Sequence, residues 1–299
     1  MQSLDETNRK VINEYKKFNE EDEKTWKGPF YFVQGADCQF GLIARYLEKK
    51  ETPNWDKEIA LSKKCVELIN SLEPKPKFFV ICGDLADAYP EPGTATIREK
   101  QVIDFHKIFG RVDKSIPVVC LCGNHDVGEQ PTIEAVSTYK SDFGDDYFSF
   151  WAGGVLFICL NSQYFVDGSK ILDLVKSQNE WLDEQLELSK NSKNGAVIFQ
   201  HIAPFIDDPE CEDTYFCLKR SVRKSLMDKW LKAGVRYVFC GHCHHNAGGM
   251  YKSLECIITT AIGGQIGGDS AGFRIVKVYD NSIKHDYYAF ENVPKSVKL

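Results

Sequence analysis

The chain predicts a layered α/β fold in a single domain, on three observations. Short apolar runs recur along it, amphipathic helical patterns separate several of them, and no repeat, low-complexity tract or long linker interrupts residues 28–290. The runs are apolar on both faces, so the sheet is expected to be largely buried. Residues 28–290 are therefore read as the domain, with a polar extension at 1–27 and a short tail at 291–299.

The strands expected, in order, are PFYFVQGA (29–36), KFFVICG (77–83), PVVCLCG (117–123), VLFICLN (155–161), GAVIFQ (195–200) and VRYVFCG (235–241). Each is a short stretch rich in Val, Ile, Phe and Cys, closed by glycine or a polar residue. A helix is predicted over 56–72, where Ile59, Val66, Ile69 and Leu72 recur at near-helical intervals. Amphipathic helices are also predicted over 178–189 and 221–234, the latter stopped by Gly234. Beyond residue 253 the pattern changes to closing antiparallel strands.

With 299 residues, 43% of them hydrophobic, the chain is long enough to bury a core without a disulfide or a structural metal. Its eleven cysteines, an odd number, sit mostly inside apolar runs and read as reduced core residues of a cytoplasmic protein. The charged first 27 residues offer no signal-peptide core, and no apolar stretch reaches membrane-spanning length. A formal charge of -6 with mixed signs leaves no electrostatic footprint for nucleic acid. Oligomeric state is left open.

The chemistry lies in the residues just beyond each strand. Strand 29–36 runs into Asp37-Cys38-Gln39, strand 77–83 into Asp84, and strand 117–123 into Asn124-His125-Asp126. Strand 195–200 runs into His201, and strand 235–241 into His242-Cys243-His244. In open α/β sheets, loops beyond the carboxyl ends of strands are where ligands bind. Five of the seven histidines (His125, His201, His242, His244, His245) belong to these loops. Aspartate, asparagine and histidine together suit manganese, iron, zinc or magnesium. Six or seven such donors exceed one tetrahedral shell, which points to two divalent ions, the arrangement that clamps attacking and leaving oxygens in phosphoryl transfer.

This ordered series, D-x-Q, GD, GNHD, H and GHxH, resembles the calcineurin-like metallophosphoesterases. That resemblance implies a layered sandwich of mixed sheets flanked by helices, with the metal site at the carboxyl ends of the strands. It implies Asp37, Gln39 and His244 on one ion, Asp84 bridging both, and Asn124, His201 and His242 on the other. His125 would be the general acid, Asp126 would orient it by a hydrogen bond, and a metal-bridging hydroxide would attack phosphorus in line. Gln39 stands where the family usually has histidine, a weaker ligand for late transition metals. Stretches such as KGPFYF, GDDYFSFW and WLDEQL extend the likeness to a vertebrate member that implies phosphoserine and phosphothreonine in proteins as substrate.

Other readings compete. Cys240 and Cys243 have the Cys-x-x-Cys spacing of a thiol oxidoreductase, but Cys240 ends an apolar strand and the following HHNAGGM is a poor helix start. Catalytically weak metal-binding scaffolds and small-nucleotide phosphodiesterases are the alternatives on the same fold. His245 is expected to face solvent or the pocket rim without binding metal, and the glycines of NAGGM and AIGGQIGG read first as turns.

Overall fold

A computed structural model of the chain describes residues 11–12 and 14–299. Along these, eleven strands follow in order: β1 (Phe30–Gly35), β2 (Phe79–Cys82), β3 (Val118–Leu121), β4 (Phe148–Ala152), β5 (Val155–Cys159), β6 (Ala196–Phe199), β7 (Tyr237–Cys240), β8 (Ala247–Tyr251), β9 (Leu254–Ile258), β10 (Gly272–Val278) and β11 (Ile283–Ala289). The helices are α1 (Glu20–Glu23), α2 (Asp56–Ser71), α3 (Ala95–Phe109), α4 (Asn124–Val127), α5 (Ile133–Phe143), α6 (Gln163–Asp167), α7 (Leu172–Leu188) and α8 (Arg220–Lys232).

The strands form two mixed sheets, ordered β11-β10-β1-β2-β3 and β4-β5-β6-β7-β9-β8. The central pairs β1/β2, β2/β3, β5/β6 and β6/β7 are parallel, so their carboxyl ends leave each sheet on one side. Where the runs taken alone suggested one buried sheet, two sheets stack face to face. Strand alternation explains how. Phe32, Val80 and Val119 of the first sheet meet Phe157, Phe199 and Phe239 of the second in a shared apolar layer. The opposite faces carry Val33, Ile81 and Val118 in a cluster with α2 and α3 residues, and Ile158, Ile198 and Val238 in a cluster with α7 and α8 residues. Every strand residue of β2, β3, β5 and β6 is buried.

The helices expected over 56–72 and 221–234 appear as α2 and α8. That expected over 178–189 is the second half of α7, whose buried residues begin at Gln178; the first half, LDLVKS, is partly or fully exposed. α3, α5, β4 and β8 were not anticipated. β8 reads AGGMY and is held by backbone pairing to β9, not by side-chain burial, so its sequence does not advertise a strand. Within the polar segment 1–27, Tyr15 stacks on Phe148 at 4.0 Å and Phe18 on Phe150 at 5.3 Å between ring centroids. The Glu23 carboxylate accepts from Gly153 N–H and pairs with Lys77. No helix among the described residues is long and apolar enough to cross a membrane.

Candidate metal centre

The donors predicted from sequence converge at the carboxyl ends of the parallel strands, on the seam between the sheets. Asp84, His201 and His242 form one cluster whose ligand atoms lie within 4.8 Å of one another, and Asp37, Asp84 and His244 form a second. Asp84 belongs to both. Five of the seven non-glycine residues with positive φ among the described residues are Asp37 (53°), Gln39 (33°), Asp84 (50°), His242 (71°) and His244 (53°). A left-handed conformation costs an L-residue about 1–2 kcal/mol. Its concentration here is strain held by the surrounding fold to turn each side chain back over its strand end. Two glycines make room. A Cβ on Gly83, at φ +86°, would lie 2.5 Å from His201 Nδ1, and one on Gly123 would lie 2.2 Å from Asp84 Oδ1.

Hydrogen bonds at the rear of each imidazole set which nitrogen faces inward. His201 Nδ1–H donates to Cys82 O at 2.7 Å and His244 Nδ1–H to Gly264 O at 2.6 Å, which leaves both Nε2 atoms toward the carboxylates. His242 Nε2–H donates to Tyr215 O at 3.1 Å, so its free nitrogen is Nδ1. The two amides are fixed by the same logic. Asn124 Nδ2 donates to Glu129 Oε1 at 2.7 Å, and its Oδ1 lies 3.1 Å from His201 Nε2. Gln39 Nε2 donates to Asp87 Oδ1 at 3.1 Å. Its Oε1 is buried without a hydrogen-bond partner among the described residues, as is Asp37 Oδ1.

The centre is thus lined by lone pairs. His201 Nε2 stands 3.3 Å from Asp84 Oδ2 and 3.9 Å from Asp37 Oδ1; His244 Nε2 stands 3.4 Å from Asp37 Oδ1. Converging acceptors need a cation or a shared proton between them. Without a metal the proton takes that place. Burial lowers the His201 value, but Asp84 and Asp37 outweigh it and push it up to about 10. Burial also works against the Asp84 carboxylate, yet His201 and His125 hold it below its usual range. Asp37 is raised, chiefly by burial. His242 is pushed down to about 3 by burial and by His201, which keeps it neutral and ready to ligate. The orphaned oxygens and the all-acceptor lining fit divalent ions held by oxygen and nitrogen donors.

His125 lies at the mouth of this centre, buried except for a narrow face. Its Nδ1–H donates to Asp87 O at 2.6 Å, with Asp87 Oδ1 3.6 Å away, and Tyr89 stacks on its ring at 4.4 Å. Asp126, expected to orient His125, does not touch it. Its carboxylate accepts from Gly123 N–H at 2.8 Å and Leu85 N–H at 3.1 Å, pinning the loop after β2 to the first turn of α4. One residue along that turn from His125, it is engaged with these backbone groups and not with the imidazole. Burial and the nearby Asp84 push Asp126 up to about 6. The His125 ring is bonded by Asp87 instead.

Asp87, Glu129, Tyr89 and Tyr215 were not picked from the sequence. Asp87 had a signal, falling three residues after Asp84 in GDLAD; Glu129 comes soon after the GNHD motif in GNHDVGE. Tyr215 had none, because it arrives from the long loop before α8. Its hydroxyl donates to Glu129 at 2.9 Å and accepts from Asn124 Nδ2 at 3.0 Å. His245 Nδ1 bonds Cys243 O and is half-exposed. Cys240 and Cys243 are buried, and burial pushes both thiols well above their ordinary value, which removes the thiolate that a redox site requires.

An open cavity of about 270 Å³ leads to the centre, lined among others by Gln39, Arg45, Asp84, His125, His242 and His244. Two sheets stacked with an oxygen–nitrogen donor centre at their strand ends define a metallophosphoesterase class of fold. The family model for calcineurin-like phosphoesterases matches residues 39–246, and the chain belongs to that family. Within it, the chain is 46% identical to serine/threonine-protein phosphatase CPPED1 of Mus musculus, over 92% of this chain and 89% of that protein. Identity is 46% to the protein of that name from Homo sapiens, over 92% and 88%, and 41% to that of Danio rerio, over 93% and 91%. Among solved structures, a dimetal phosphatase from Danio rerio shares the fold with a TM-score of 0.65 at 15% identity, covering 87% of this chain and 96% of that one. A purple acid phosphatase from yellow lupin shares it at 0.64 and 13% identity, covering 89% of this chain and 52% of that one.

Proposed function

We propose that the chain is a dinuclear-metal phosphatase hydrolysing phosphoserine and phosphothreonine in proteins. The observation that carries this reading is the pair of donor clusters sharing Asp84, beside a histidine whose Nδ1 is already engaged. Asp37, Gln39, Asp84 and His244 would hold one ion, and Asp84, Asn124, His201 and His242 the other, drawn from manganese, iron, zinc or magnesium. Bound there, divalent ions supply charge neutralisation for phosphate oxygens and an activated water near neutral pH.

The chain's own groups do the rest. Asp87 fixes His125 with Nδ1 turned inward to its carbonyl, which leaves Nε2 to hand a proton to the departing serine or threonine oxygen. Glu129 and Asp87 hold the amides of Asn124 and Gln39 by their nitrogens, which presents oxygen to the centre. The choice of phosphoprotein substrate draws on the relatives, whose name is serine/threonine-protein phosphatase. The cytoplasm is the compartment proposed, since all eleven cysteines are free and ten are buried. The test is hydrolysis of phosphoserine peptides by the purified protein after manganese loading. Turnover that chelation abolishes is expected; a protein that binds metal and never releases phosphate from any phosphoester sinks the reading.

A further inference from the structure

Nine large apolar side chains among the described residues are strongly exposed, and three of them, Tyr46 (52%), Tyr215 (56%) and Ile266 (37%), line the cavity that opens on the metal centre. Leu47, 40% exposed, comes directly after Tyr46. Isolated exposed apolar residues need no explanation, but a group gathered round a polar site does. Tyr215 has an internal duty through its hydroxyl. Tyr46 and Ile266 are not accounted for in that way.

The charge at the mouth narrows the occupant. Among the described residues Arg45 is the single lysine or arginine lining the cavity, half-exposed, and its Nε and Nη2 grip Asp87 at 2.6 and 2.7 Å. With that charge already met by Asp87, the lining side chains offer no unpaired cation to acidic residues beside the phosphate. In the loop that brings Tyr215 to the cavity, the acidic run DDPECED (207–213) comes just before that tyrosine. A segment with an apolar side chain next to its phosphate fits this wall; one rich in carboxylates does not.

We propose that Tyr46, Leu47 and Ile266 form a docking surface for a large apolar residue flanking the phosphoserine or phosphothreonine of a protein substrate. This rests on the phosphatase reading and names the substrate feature that the same site selects. Burying one such side chain against the rim favours it about tenfold over glycine.

The test uses manganese-loaded full-length protein and matched phosphoserine peptides with leucine or glycine at each of the two positions on either side. Wild type is expected to show about a tenfold kcat/KM preference for leucine at one or more positions. Tyr46→Ala and Ile266→Ser are expected to collapse that ratio toward one. The ratio is internal to each variant, so a general loss of activity does not mimic the result. A wild-type ratio near one, or variants that keep the wild-type ratio, overturns the docking surface while leaving phosphatase activity standing. Hydrolysis of neither peptide overturns both readings together. Self-association in sedimentation that Tyr46→Ala abolishes assigns the surface to a second copy of the chain and overturns the proposal.

Discussion

The two sheets contribute opposite chemistry to one centre. From the ends of β1, β2 and β3 come the acids and amides Asp37, Gln39, Asp84 and Asn124; from β6 and β7 come the imidazoles His201, His242 and His244. Neither half makes a cluster alone, because each group of converging donors draws on both sheets. The aromatic layer between the sheets, with Phe32 edge-on to Phe157 at 5.5 Å and to Phe199 at 5.6 Å, therefore does more than stabilise the domain. It sets the distance across which carboxylates meet imidazoles.

The most direct way to break the pairing is Asp84→Ala, since Asp84 is shared by both clusters. Metal content measured by elemental analysis should fall at both sites, and activity should drop well beyond the about 100-fold that loss of an outer partner costs. His125→Ala separates the proposed proton donor from the donor clusters. It should keep its metals while kcat falls about 10²–10⁴-fold, most for alkyl phosphates with poor leaving groups. A variant that loses its metals instead removes His125 from the acid role.

Glu129→Ala probes the contact between halves, as Glu129 holds the Asn124 amide whose oxygen meets His201. It should weaken metal binding at that side about tenfold, read by titration with a metal buffer, with a smaller effect on the Asp37 side. The smallest effect concerns the chelated protein. His201, pushed up to about 10 from an ordinary 6.5, stabilises the metal-free fold fully below about 6.5 and loses that contribution as pH rises through about 10. Thermal unfolding in chelator should show a fall of a few degrees across that window, absent in His201→Gln.

Much of this was legible along the chain. Six of the strands announced themselves as apolar runs ended by glycine or a polar residue, and the candidate donors and His125 are the residues that come after five of them. The elements and contacts that escaped share a physical cause. β8 is a strand by backbone pairing to β9, a relation that side-chain pattern does not encode. Asp126 sits beside His125 in sequence, yet its carboxylate is engaged with the backbone of Gly123 and Leu85. Asp87, 38 residues distant, holds the ring instead.

Which donors exist, and that each leaves a strand end, is written in the linear chain, because a run of apolar residues and the turn after it are local events. Which acid faces which imidazole, which nitrogen of each histidine is free, and which end of Gln39 and Asn124 points inward are properties of the folded molecule. Those are settled by groups from the opposite sheet and from distant loops. The energy of a buried lone pair depends on what the folded chain places against it.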